Sequence, residues 1–113
     1  MKLVIKGKIA DFIPFFNASI REGRLVISKN GDLSFTVDTG FSGGIALPLD
    51  MLEKIGVRLT FYDTFRLATG QIVELPVFLG EVIIGNKKVE TWFIPGDFLL
   101  GMEFLSTAGS FLS

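Results

Sequence analysis

The stretch Phe35-Thr36-Val37-Asp38-Thr39-Gly40-Phe41-Ser42-Gly43 carries an apolar alternation straight into an acid, a hydroxyl and two nearby glycines. Leu33, Phe35 and Val37 alternate with Ser34, Thr36 and Asp38, the period-two pattern of a strand with one buried face. Asp38 therefore leaves the strand on the side away from the apolar residues. A carboxylate at such a corner can be held by backbone N–H donors. Gly40 lets those donors approach closely, and the Thr39 hydroxyl can cross-link to a neighbour. The tripeptide alone has little specificity, since it arises by chance in roughly one or two chains per hundred of this length. Alone, it also suits an acid capping a turn.

Working outward, the chain reads as mostly β. Twelve Phe and 13 Gly favour short strands cut by turns. Strands are expected over residues 1–9 and 12–20, with Pro14 marking an edge or a bulge, and then over 24–28 after a Glu22-Gly23 turn. Asn30-Gly31 predicts a two-residue type I′ hairpin joining 25–28 to 33–37. Residues 48–55 read as a helix with Pro48 at its first position, Gly56 beyond its end, and Leu49, Leu52 and Ile55 buried. Two extended arms over 65–79 surround the small polar tip Ala68, Thr69, Gly70 and Gln71, equally an ordinary exposed hairpin tip. Gly85-Asn86 turns a further hairpin, Pro95-Gly96 ends the last long strand, and Leu99, Leu100 and Gly101 lead into a short helix over 102–107. The halves around Thr39-Gly40 and Leu100-Gly101 are weakly alike.

Composition narrows the chemistry. The 113 residues suit a single domain. A formal charge of -1 with no Lys/Arg cluster argues against nucleic acid or an anionic membrane as partner. With no His and no Cys, no Ser-His or Cys-His couple, Cys/His zinc cage or disulfide is available. Lys6 and Lys8 interrupt the N-terminal apolar run before it can serve as a signal-peptide core, so a cytoplasmic protein is expected. No stretch approaches the ~20 apolar residues of a membrane span.

The stretch Phe35 to Gly43, followed by Ile45-Ala46-Leu47-Pro48, the Ala68-Thr69-Gly70 hairpin and Phe98-Leu99-Leu100-Gly101, resembles the retropepsin-like (clan AA) aspartic proteases. The order of these segments matches across nearly the whole chain and is most similar to the small prokaryotic cellular members. The resemblance implies a closed β-barrel of the acid protease fold with one or two short helices. It implies Asp38 as the catalytic acid, Thr39 and Gly40 as its supports, Ala68, Thr69, Gly70 and Gln71 as the flap tip over substrate, and Leu99, Leu100 and Gly101 as a segment crossing beneath the site. No cofactor or metal is implied. Two departures stand out. Phe41-Ser42-Gly43-Gly44 occupies the region where many viral members carry a substrate-holding Asp, and little chain follows the last helix where viral dimers interleave terminal strands.

The implied chemistry needs two carboxylates, and the chain has one Asp-Thr-Gly, so the second comes from a twin in a homodimer. Two carboxyl groups about 3 Å apart hold one proton between them, and a water between them attacks the peptide carbonyl. Asp63 and Asp97 read as solvated loop acids. Phe41, Ile45 and Phe98 fit specificity pockets or core, Trp92 fits packing, and Asn17-Ala18-Ser19 is an incidental glycosylation sequon in a strand. Beside an aspartic endopeptidase acting on peptide or protein substrates, two readings stay open: a catalytically weak or inactive dimeric peptide-binding module of the same fold, and an unrelated β-barrel ligand binder.

Overall fold

The computed structural model describes residues 8–10, 13–38, 40–67 and 69–112. The predicted strand over 1–9 falls mostly outside them, as do Phe12, Thr39 and Ala68. The elements run β1 (Lys8–Ala10), β2 (Ile13–Arg21), β3 (Arg24–Ile27), β4 (Leu33–Val37), β5 (Ile45–Leu47), α1 (Leu49–Leu52), β6 (Arg58–Arg66), β7 (Ile72–Ile84), β8 (Lys87–Pro95), β9 (Leu99–Leu100) and α2 (Met102–Leu112). The chain is mostly β, and the strands join in one sheet. Beyond neighbouring β1 and β3, β2 also pairs with β4, so the ladder β2-β3-β7-β8-β5-β9-β4 returns to its start. No helix among the described residues is long and apolar enough to cross a membrane.

The core lies inside this circuit. Phe16 and Ala18 from β2, Leu25 from β3, Phe35 and Val37 from β4, Val82 and Ile84 from β7, and Val89 and Phe93 from β8 alternate along their strands toward it. Phe35 meets the Phe98 ring edge-on at 5.3 Å, a favoured aromatic geometry. From the C-terminal side α2 adds Phe104, Leu105 and Ala108, spaced as one helical face. Ile45 belongs to the core and Phe98 packs against it.

The expected hairpin at Asn30-Gly31 is not formed. The strands β3 and β4 do not pair with each other; both pair with β2, and Ala18 is partner to Ile27 and to Leu33. Residues 28–32 cross over β2 instead, where a Cβ on Gly31 would overlap the Ala18 backbone. Glycine is required there for close approach rather than for a left-handed turn. The left-handed pair lies one turn earlier, at Glu22 (φ 52°) and Gly23 (φ 74°) between Arg21 and Arg24, where it closes the two-residue loop of the β2–β3 hairpin.

The first helix is shorter than expected. Pro48 caps α1 from an extended conformation, φ -54° and ψ 145°, instead of starting it, and turns follow from Glu53. Leu52 and Ile55 are buried as predicted, but Leu49 is 51% exposed, because a single turn presents only part of its circumference to the sheet. At the other end α2 reaches Leu112, so the chain after residue 107 continues the helix where a short tail was expected. Asp63 stands in β6 and not in a loop.

Candidate active site

Strand β4 delivers Asp38 to a corner built from backbone. Parallel pairing sets Thr36 beside Leu99 and Val37 beside Leu100. The ladder continues past the strand end, where the Asp38 amide donates to the Leu100 carbonyl at 3.0 Å. The chain then turns: the Gly40 amide donates to Asp38 Oδ1 at 2.9 Å, and the Phe41 amide donates to the Asp38 carbonyl at 3.1 Å. The side chain of Asp38 is half-buried and Gly40 is exposed. One carboxylate oxygen is thus occupied by a turn amide, an arrangement that an Asx turn supplies from short-range geometry.

The following loop, residues 41–44, lies across the start of α2. Its carbonyls accept from that end of the chain: Gly44 from the Gly101 amide at 2.7 Å, Phe41 from the Met102 amide at 2.8 Å, and Gly43 from the Glu103 amide at 3.1 Å. A helix leaves its first amides without partners, and here the loop beside Asp38 satisfies two of them. Three glycines permit the approach. A Cβ on Gly101 would overlap the Gly43 carbonyl, one on Gly44 would overlap the Trp92 carbonyl, and one on Gly43 would come within 2.8 Å of the Phe41 ring. Phe41 therefore folds back on Gly43 and Gly101.

Of the residues singled out from the sequence, Asp38, Gly40, Leu99, Leu100 and Gly101 meet at this crossing. The supporting residue Thr39 lies outside the described residues, as does Ala68 of the hairpin tip. The tip itself forms as expected at the end of β6 and β7, with Arg66 opposite Ile72. There the Leu67 amide donates to Gln71 O at 2.8 Å, and Gly70 takes a φ of 89°. Thr69, Gly70 and Gln71 are exposed, and no hydrogen bond among the described residues joins them to the Asp38 turn. The arms are longer than foreseen, running from Arg58 and to Ile84. Phe61 on the first arm meets Trp92 of β8 edge-on at 5.5 Å.

Sequence reasoning gives no role to Gly44, beside Gly43, or to the amides of Met102 and Glu103. The adjacent glycines were a visible signal, since a pair just before an apolar strand marks a close backbone approach. A separate cleft of about 380 Å³ lies between the β2–β3 turn, the segment from Ile55 to Arg58, and the β7–β8 sheet, and is bordered by Glu22, Arg24, Arg58, Glu81 and Glu90. None of the residues at the Asp38 crossing lines it. No protein-family model, no curated protein and no solved structure matches this chain.

Proposed function

We propose that the chain is a retropepsin-like aspartic endopeptidase that works as a homodimer, with Asp38 from each copy completing one site on a two-fold axis. The observation that carries this reading is the backbone clamp on the Asp38 turn: Asp38 N–H to Leu100 O, with Gly101 seated against the loop that follows. It holds a half-buried carboxylate at a corner without using any side chain as a ligand, leaving the acid for chemistry.

The closed circuit of strand pairings supports the barrel that the resemblance implies. In the dimer, two carboxyl groups about 3 Å apart share one proton. One takes a proton from a water as it attacks the scissile carbonyl, while the other donates to the carbonyl oxygen, and no covalent intermediate forms. The Gly40 N–H on Asp38 Oδ1 orients the carboxylate and leaves the second oxygen for the water. An extended peptide lies as a strand beneath the β6–β7 hairpin, held by its backbone and selected by alternate side chains.

The test is digestion of a peptide library from about pH 3 to about pH 7 by the wild type and by Asp38→Asn, with and without a statine-type inhibitor that imitates the tetrahedral intermediate. Inhibitor-sensitive cleavage by the wild type alone is the expected result. A confirmed dimer that cleaves nothing across that range points to a peptide-binding module instead.

A further inference from the structure

Across the outer face of the sheet, four charged residues stand in one row on four neighbouring strands. Arg21 of β2 is opposite Arg24 of β3, and Glu81 of β7 is opposite Glu90 of β8. Arg24 and Glu81 each precede a member of the Leu25–Val82 pair of the parallel β3–β7 ladder, so they too are neighbours. Leu25, Val82 and Val89 face the core, and by alternation all four charged residues face outward, where each is exposed. Read across the sheet the row is plus, plus, minus, minus. Its neighbouring row, two residues along, is Ser19, Val26, Ile83 and Lys88, with Val26 and Ile83 half-buried.

Like charges directly opposite on neighbouring strands destabilise a sheet. This face has two such pairs, Arg21 with Arg24 and Glu81 with Glu90. Exchanging the residues at 24 and 81 would have made every neighbouring pair opposite in sign. The order found is instead self-complementary. Rotation by a half turn about an axis parallel to the strands and midway between β3 and β7 lays Arg21 over Glu90 of a second copy, Arg24 over Glu81, and Val26 over Ile83. Each contact occurs twice, as an isologous interface requires.

We propose that this face docks a second copy of the chain, sheet on sheet, through the Arg21-Arg24-Glu81-Glu90 row. Facing sheets stand about 10 Å apart, a gap that arginine and glutamate side chains bridge from opposite sides. The row spans three strand spacings, about 14 Å, so the contact belongs to the small, weak class and depends on salt. Asp38 and the crossing segment take no part in it. The proposal therefore does not depend on peptidase activity and stands or falls separately from it.

The experiment is sedimentation velocity of the full chain at about 20 mM and about 500 mM salt, with circular dichroism checking that every variant is folded. Wild type is expected to self-associate at low salt and to lose that step at high salt. Arg21→Glu with Arg24→Glu makes the row all acidic, and Glu81→Arg with Glu90→Arg makes it all basic. In each double variant alone this salt-sensitive step should be about tenfold weaker or worse, whatever other self-association the chain has. An equimolar mixture of the two should associate again, and so should the quadruple variant, whose row is inverted but still self-complementary. Wild type without a salt-sensitive step, a double variant that associates as wild type does, or folded variants that fail to recover in the mixture would overturn the proposal. A mixed-charge partner of another kind gives the first of these outcomes.

Discussion

The Asp38 amide donates to the Leu100 carbonyl at 3.0 Å, joining two segments that lie far apart in the chain and resemble each other only weakly. Around that bond the turn bearing the acid and the start of α2 share their backbone groups. The amides of Gly101, Met102 and Glu103 find acceptors in the loop after Asp38. Fold stability and position of the carboxylate are therefore coupled at one crossing.

Replacing Gly101 with Ala tests that coupling. The added Cβ overlaps the Gly43 carbonyl and approaches the Phe41 ring at 2.8 Å, so the loop must move. Overpacking of this kind costs about 1–3 kcal/mol, and each kcal/mol lowers Tm by about 4 °C in a chain of this size. Thermal melting should show that loss, and any cleavage activity should fall with it at temperatures where the variant is still folded.

Asp38→Asn should leave the fold almost untouched. The Asn side-chain oxygen can accept the Gly40 amide as Asp38 Oδ1 does, so the change in unfolding free energy should stay within about 1 kcal/mol. Peptide cleavage should fall about a thousandfold or more, since proton transfer through the carboxyl is lost. Urea unfolding and single-turnover digestion read the two effects separately.

At the hairpin tip, Gly70 has a φ of 89°, and nothing lies within 4 Å of where a Cβ would project. Gly70→Ala therefore meets no clash, only backbone strain of about 1 kcal/mol. The strain reshapes the turn at Gly70 while the rest of the sheet is unaffected. If the hairpin closes over substrate, KM rises and the melting curve shifts by only a few degrees.

The two leucines that bound the single turn of α1 should behave differently. Leu52 is 1% exposed and Leu49 is 51% exposed. Leu52→Ala should cost about 2–5 kcal/mol, and Leu49→Ala less than about 1 kcal/mol. Equal losses in denaturant titrations would mean that both side chains face the core.

Buried Ser19 Oγ has no hydrogen-bond partner among the described residues. An unsatisfied buried hydroxyl carries a desolvation penalty of about 1–3 kcal/mol, so Ser19→Ala should be neutral or should raise Tm.

Local patterns were legible wherever the determining interactions lie within a few residues. The alternation Leu33 to Asp38, the turn at Gly85-Asn86, the polar hairpin tip and the break at Pro95-Gly96 all follow from side-chain periodicity and backbone freedom, and the structure has them. Absence of His and Cys limited the chemistry to carboxylates, hydroxyls and lysine amines before any fold was considered. Asn30-Gly31 misled because glycine serves two ends, a left-handed turn or a close approach. Which one applies depends on whether another backbone lies beneath it, and Ala18 lies beneath Gly31. Leu49 misled for a related reason, since a helical stripe predicts burial only when the helix is long enough to present it.

The remaining features depend on long-range pairing. Nothing near Asp38 in the chain announces that its amide will find Leu100, that the Trp92 carbonyl is the group on which the bare Gly44 lies, or that Arg21, Arg24, Glu81 and Glu90 will form one row. Each is a matter of register between strands distant in sequence, set when a shared core is buried and the ladder closes on itself. The residues of the candidate site could thus be named from the chain, while the backbone clamp that holds them appears only where β4, β9 and α2 cross, because hydrogen bonds between main-chain groups leave no signature in residue type.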